Sequence, residues 1–567
     1  MARKRIIIVA ILLAISKSVL PQGGDFIWAK RIGEPSTYSG RLIASDSNGN
    51  IIISGGFQGI ADFDPGPATF TLNAAMGNVF LLKLDINGNF LWAKNFGSAV
   101  ANNCDIDISN NIYITGSFQN TCDFDPDITT YTIAATGGTN GFLMKLNSNG
   151  SLVWSKTFGG TSNNFMTNLT LDQSLNVYVT DYFDGIIDCD PGPGTSTISS
   201  LGGTDALISK LDPAGNLIWM KRIGGSVSDG ISFIKQDISG DIFAVGNFGS
   251  TVDFDPGPGT TTLTANGSQD IFILKITGNG NYSWVKSIGS IFNQGSSGLA
   301  LDQNNNLLIS GTFNGTLDVD PGPSIYTLST IGTGEPFILK LNNLGNFISA
   351  LNFQVISGPG GASNNGLILD IFGNIFTCGT FQGSVDFDPS PSINSITSLG
   401  EQDVYIAKLN NLGDLLWVKS VGSSTIDFCH DIGLDQNEDI YITGQYKGII
   451  DLDPGIGSYT LFTADQNAIW GSYLLKLGNG TVGLAEKNSF AQNNLPYPNP
   501  VQNRIFINGL DTNSKSVLIL LNNLGQVIVS EFSNINAGLD ISFLPSGLYF
   551  LKIMNEFSQK TYKIFKE

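Results

Sequence analysis

Paired carboxylates are the residues of this chain whose types and spacing could do chemistry. The tetrapeptide Asp-x-Asp-Pro occurs seven times, as Asp62 with Asp64, Asp123 with Asp125, Asp188 with Asp190, Asp253 with Asp255, Asp318 with Asp320, Asp386 with Asp388, and Asp451 with Asp453. Aspartates at i and i+2 of an extended segment point the same way, so each copy concentrates negative charge that something must compensate. Three roles compete. Calcium, the one candidate cofactor of a chain that requires none, would use these carboxylates with loop carbonyls as hard oxygen ligands; against it, the motif lacks the further Asp or Asn of a full calcium loop. Ion pairing would match the aspartates with lysines that recur in Leu-Lys-Leu segments, Lys83, Lys145, Lys210, Lys275, Lys340, Lys408 and Lys476. Capping would have the carboxylates accept backbone N–H groups in a turn shaped by Pro-Gly.

The elements that must position these groups are strands. The motif recurs at intervals of 61, 65, 65, 65, 68 and 65 residues, a period that defines a repeat architecture. Each unit contains four β-branched and aromatic runs bounded by Gly, Asn and Asp turns: strand A ending in Leu-Asp, strand B of the Tyr113–Gly116 type, strand C with its lysine, and strand D of the Trp-x-Lys type (Lys30, Lys94, Lys156, Lys221, Lys286, Lys419). The first D-type strand, at Phe26 to Lys30, precedes any strand A, and none follows the last strand C, so the array is expected to close on itself. The expected fold class is all-β: a seven-bladed β-propeller of four-stranded blades over residues 25–478, closed by an N-terminal strand, which abolishes exposed sheet ends. An open solenoid is the alternative. In such blades the B-to-C loops, holding every Asp-x-Asp-Pro, share a face with the D-to-A connections.

Composition narrows the partners. A formal charge of −19 and a pI near 4.4 argue against nucleic acid or an anionic membrane, both of which require a basic surface. Residues 1–22, with Arg3-Lys4-Arg5 ahead of a short apolar run, read as a signal peptide too short to span a bilayer, and no transmembrane segment is expected elsewhere. Cys104, Cys122, Cys189, Cys378 and Cys429 occupy unrelated places in their repeats and are expected to be apolar fillers, not a disulfide framework.

After a Gly/Asn/Ser-rich linker at 479–494, residues 495–567 read as a small β-sandwich with strands at 504–507, 516–521, 526–530, 548–554 and 560–565. Tyr497-Pro498-Asn499-Pro500, the Asn-x-x-Gly-Gln ending in Gly525-Gln526, the Leu-Pro-x-Gly-x-Tyr containing Gly547 and Tyr549, and the basic end at Lys563 and Lys566 resemble the C-terminal sorting domain (type A) of the type IX secretion system of Gram-negative bacteria. The resemblance implies the secretion machinery as partner, passage across the outer membrane, and a secreted or outer-surface location. The repeats resemble bacterial β-propeller repeats containing Asp-Phe-Asp-Pro-Gly-Pro, which implies fold and location but no ligand.

His430 is the single histidine, so a histidine metal cluster is excluded and any Ser-His-Asp triad would have to use it. Paired-carboxylate glycoside hydrolysis needs no histidine, but nearly all acids here belong to the repeat. Residues that break the repeat are therefore the ligand candidates: Asp181, Tyr182 and Asp184 in the third unit, His430, and Trp470 before the last strand C. The sequence points to a non-enzymatic surface protein that binds or adheres to glycan or protein. An extracellular glycan-active hydrolase on a propeller scaffold is the alternative, and a purely structural surface-layer role is a third.

Overall fold

The computed structural model describes residues 23–33, 37–331, 334–358, 360–463, 470–479, 496–497, 501–507, 516–522, 527–532, 539–555 and 558–566. The expected signal segment and residues 480–494 of the expected linker lie outside the described residues. Those from Gly24 to Asn479 form one compact unit, and those beyond 480 belong to a second.

In the first unit each repeat folds as an antiparallel A-B-C-D meander. Strands B and C are near-continuous apolar runs, as in Ile242–Phe248 and Asp270–Ile276, and are buried along their length. Strand D, as in Tyr282–Ile288, is less completely buried than strands B and C. Among the described residues there are seven such meanders, with A strands Thr37–Ser45, Ala99–Ile106, Asn164–Leu171, Gly230–Gln236, Gly295–Leu301, Ala362–Leu369 and Asp427–Leu434. The seventh takes its D strand from the start of the chain: Asp25–Ile32 pairs antiparallel with Trp470–Gly478, Asp25 opposite Gly478 and Ile32 opposite Ser472. Consecutive A strands touch one another, and the seventh touches the first. The core lies between sheets, where for example Phe243, Ile271 and Ile273 of the fourth repeat pack with Leu307, Ile309 and Phe337 of the fifth.

The junctions between sheets explain several repeated residues. The tight turn after strand C carries a glycine in the left-handed region, and a Cβ on Gly88 (φ +77°) would lie 3.1 Å from Trp28 and 3.0 Å from Lys30 of the preceding D strand. The tryptophan and lysine of each D strand thus lie over the turn of the next repeat, and Trp154, Trp219 and Trp284 also donate to a carbonyl there, at Pro213, Gly278 and Asn343. In the fifth repeat, which lacks both residues, Leu351 takes their place against Gly413. This departure from the repeat is a packing substitution.

Four strands per unit was an undercount. The Asp-x-Asp-Pro segment closes an extra short hairpin, as in Ile186–Asp188 with Thr197–Ser199 and Thr316–Asp318 with Thr327–Ser329. Several of these hairpins pair with the end of the preceding D strand, Asp188 opposite Gly159 and Asp253 opposite Gly224.

In the second unit the strands Arg504–Ile507, Ser516–Leu521, Val527–Phe532, Gly547–Asn555 and Ser558–Lys566 form a three-stranded and a four-stranded sheet, together with the short strands Pro496–Tyr497 and Leu539–Asp540. Val501, Ile505, Leu520, Ile541, Leu551 and Ile564 make their common core. The expected strands are present to within about two residues, the ordinary uncertainty of strand ends.

Candidate functional site

The carboxylate pairs act on their own backbone. Asp62 Oδ1 accepts the N–H groups of Asp64 (3.1 Å) and Phe70 (2.8 Å), and Asp64 Oδ1 accepts that of Gly66 (2.7 Å). The same three bonds recur at Asp318 and Asp320, with Tyr326 and Gly322 as the outer donors, and at Asp451 and Asp453. Between the two aspartates an apolar residue is buried: Phe63, Phe124, Cys189, Phe254, Val319, Phe387 or Leu452. Phe124 and Phe254 meet a strand B phenylalanine edge-on, with centroids 5.1 Å from Phe118 and 5.2 Å from Phe248. Among the described residues no three His, Cys, Asp or Glu side chains converge as a metal site requires. With the Oδ1 atoms turned to N–H donors, the motif has the geometry of a turn cap.

The expected ion pairs between these aspartates and the strand C lysines are corrected by the structure. All seven lysines pair instead with the aspartate that opens the A-to-B turn of the same repeat: Lys83 with Asp46 (2.8 Å), Lys145 with Asp107, Lys210 with Asp172, Lys275 with Asp237, Lys340 with Asp302 (3.0 Å), Lys408 with Asp370, and Lys476 with Asp435 (3.0 Å). The lysine is the penultimate residue of a seven-residue strand C, so the B-to-C loop lies roughly 17 Å away along the strand, while the A-to-B turn is adjacent. Burial opposes ionisation of Asp46 and Asp302, but the amide and lysine hydrogen bonds outweigh it and hold both carboxyls below their ordinary range. Several of these lysines also reach towards the next repeat: Lys83 donates to Ser148 O, Lys210 to Gly278 O and Lys476 to Ile86 O.

The ligand candidates separate. Asp181 is fully buried, and neither of its oxygens has a hydrogen-bond partner. Burial, only partly opposed by Asn164, pushes its carboxyl well above the ordinary range. In the six other repeats this position is a glycine facing an aromatic ring, such as Gly116 opposite Phe142 and Gly246 opposite Phe272. Asp181 faces Leu207, so the smaller partner makes room for the larger residue. Sealed in this way, Asp181 is not available to a ligand in solution. Asp184 holds the turn at Asn163, accepting its N–H at 2.9 Å. Tyr182 stacks on Phe165, with centroids 5.0 Å apart. His430 Nε2 lies 3.0 Å from Gln445 Oε1; burial, aided by the charge of Arg41, pushes the imidazole below its ordinary pKa. Trp470 and His430 both stack with Phe428, at centroid distances of 5.4 Å and 6.4 Å.

Every A strand has a β-bulge, and bulges re-aim side chains. The register shifts between Gly40 and Leu42, Ala101 and Asn103, Met166 and Asn168, Ile231 and Phe233, Ser296 and Gly298, Asn364 and Gly366, and Cys429 and Asp431. The bulged residues are therefore Arg41, Asn102, Thr167, Ser232, Ser297, Asn365 and His430. Several tie neighbouring A strands together: Asn102 donates to Met166 O, Thr167 to Ile231 O and Asn365 to Cys429 O. Arg41 lines a cavity of about 590 Å³ with Gly55–Phe57, Gly77–Val79, Ser98–Ala101, Ser117–Gln119, Thr139 and Phe165. These are the ends of strands A, B and C nearest the Asp-x-Asp-Pro hairpins. A Cβ on Gly56 or Gly77 would meet open space. The third repeat has Tyr182 where the first has Gly56, by register with Ala206 and Val79. Sequence reasoning missed Arg41 and Gly56, although alignment of the repeats singles out both.

Of the sorting residues, Tyr497 pairs with Phe506, and Pro498, Asn499, Pro500, Gly525 and Gln526 lie outside the described residues. Gly547 and Tyr549 share a sheet with the basic end, Gly547 opposite Lys566 and Phe550 opposite Lys563, and Tyr549 donates its hydroxyl to Pro545 O.

Residues 496–567 match the family model of the secretion system C-terminal sorting domain. An uncharacterized WD repeat-containing protein, L264 of Acanthamoeba polyphaga mimivirus, is 25% identical over 74% of this chain and 36% of its own length. The chain thus spans about a third of that relative. Similar solved structures include a subtype N10 neuraminidase-like protein of A/little yellow-shouldered bat/Guatemala/060/2010, with 9% identity, a TM-score of 0.28, and coverage of 80% of this chain and 99% of that one. A member of the duf4221 family from Bacteroides vulgatus gives 10% identity and a TM-score of 0.27 over 67% of this chain and 96% of that one. The chain is a repeat protein of propeller-like, all-β fold that carries a type IX sorting domain. It is secreted or held at the outer cell surface, and among the described residues no helix is long and apolar enough to cross a membrane.

Proposed function

We propose that residues 25–478 are a closed seven-bladed propeller, flanked by a signal peptide at 1–22 and by a linker at 479–494 and sorting domain at 495–567, and that the secreted protein binds an extracellular glycan or protein without catalysis. The cyclic contacts of the seven A strands and the pairing of Asp25–Ile32 with Trp470–Gly478 support closure. The cavity carries the functional reading. It has the size of a small-ligand site, and its described lining contains a cation, amides and hydroxyls but no carboxylate, histidine or cysteine. Hydrolysis of a glycoside needs two carboxyl groups across the bond, and acyl transfer needs a nucleophile with its base. We further propose that the Asp-x-Asp-Pro motifs are caps and bind no calcium.

The test is a glycan array together with a broad glycoside-hydrolase screen on the full secreted protein. Retained ligand without turnover is expected. Release of reducing ends at a rate abolished by changing an acid of this unit would overturn the reading in favour of a hydrolase.

A further inference from the structure

One half-buried cross-strand pair departs from the repeat. Phe165 faces Tyr182 across strands A and B of the third repeat, where the fourth, fifth and sixth have Gly230 with Asn247, Gly295 with Thr312 and Ser363 with Thr380. The scaffold closes there with glycine and small polar residues, so packing does not require two aromatic rings. The two rings stack with centroids 5.0 Å apart. Phe165 lines the 590 Å³ cavity, and Tyr182 lines a second one of about 240 Å³ on the same face, between the third and fourth repeats. The stacked pair is thus the partition between two neighbouring cavities, one ring belonging to each.

The polar groups narrow the ligand. Arg41, the charged group of the larger cavity, is already engaged within the protein. Asp229, that of the smaller, is 2% exposed and accepts the N–H groups of Gly225 and Gly249, one on each oxygen. Both charges of the described lining are therefore spent on the fold. By contrast, the side-chain amides of Asn78 and Gln269, one in each cavity, and the hydroxyl of Tyr182 have no hydrogen-bond partner among the described residues. Amides donate and accept, as sugar hydroxyls do, and a tyrosine adds a flat apolar face with a polar tip. In a chain of β-linked glucose every ring hydroxyl is equatorial, so each unit is apolar above and below and polar around its edge. Two aromatic rings between neutral amides complement that distribution.

Resting on the binding function proposed above, we infer that the two cavities form one subsite for a neutral β-linked glucan, which crosses the Phe165–Tyr182 pair with sugar units on either side of it.

Titration calorimetry on the full secreted protein tests this with cellohexaose, cellobiose and hexagalacturonic acid. Cellohexaose is expected to bind at least about tenfold tighter than cellobiose, because only the longer chain reaches both cavities, and tighter than the acid. Tyr182→Thr installs the residue that the fifth and sixth repeats have there, and should keep the parent melting temperature while weakening cellohexaose about tenfold. Asn78→Ala and Gln269→Ala, one in each cavity, should each weaken it by about threefold to tenfold. Equal affinity for the two chain lengths, or a loss in only one of the amide variants, overturns the bridging of the cavities. Unchanged affinity in Tyr182→Thr overturns the location, and tighter binding of the acid overturns the neutral class. If neither cello-oligosaccharide binds while the glycan array returns other ligands, this inference falls and the binding function stands. An array without any ligand removes the glycan reading on which the inference rests.

Discussion

At the residue scale the repeated charges divide by position along the strand, not by number. Seven lysines and seven Asp-x-Asp-Pro motifs invite pairing by count, but the aspartates opening the A-to-B turns are equally sevenfold, and those are the ones the lysines reach. Lys476, 4% exposed, contacts both Asp435 and Asp439. Lys476→Met should cost about 3–5 kcal/mol, because it strands a buried carboxylate whose partner is gone; equilibrium urea unfolding measures this, and a cost under about 1 kcal/mol would mean that solvent reaches the pair. Asp427 behaves oppositely. It is fully buried, and neither carboxylate oxygen has a hydrogen-bond partner within bonding geometry; burial, partly offset by Ser423 and with Asp403 adding, raises its carboxyl from 3.8 to about 7. A carboxyl raised in the folded state binds its proton more tightly there, so its stabilising effect is full at low pH and is lost as pH climbs from 3.8 to about 7. Asp427→Asn should therefore flatten the fall in melting temperature between about pH 4 and about pH 7. An unchanged pH profile would show that this carboxyl is charged in the folded protein.

At the element scale the Asp-x-Asp-Pro segment is a hairpin corner. Its first aspartate caps two N–H groups, its middle residue fills the sheet junction, and its backbone pairs with the preceding D strand. Asp318→Ala removes the acceptor for Asp320 N and Tyr326 N and should cost about 1–3 kcal/mol. Neither millimolar calcium nor chelator should shift the melting temperature of the parent protein, and a clear rise with calcium would restore the metal role. The strands, turns and apolar faces were legible because each depends on neighbours in sequence. The extra hairpin was not, since its three-residue strands fall below any periodicity signal and are held by a neighbouring repeat. Nor was the burial of Asp181, which depends on Leu207 replacing an aromatic ring 26 residues away.

At the scale of the whole molecule, the chain start completes the last sheet, so removing it should be felt far from the N-terminus. Deleting residues 25–32 leaves the edge of Trp470–Gly478 unpaired and opens the core beneath Ala29 and Ile32. The expected result is a lower melting temperature and concentration-dependent association through the bare edge, read by light scattering; a monomer of unchanged stability would argue for an open array. The sequence by itself determined the repeat, its four main strands, the displaced D strand at the head of the array and the C-terminal sorting domain, because periodicity, turn chemistry and short motifs are local properties. Only the tertiary structure decided which aspartate each lysine meets, that Asp181 is sealed, and that Arg41 and Gly56 border one cavity. Those depend on distances between residues on different strands and repeats, and distance across a fold is set by packing, not by spacing along the chain.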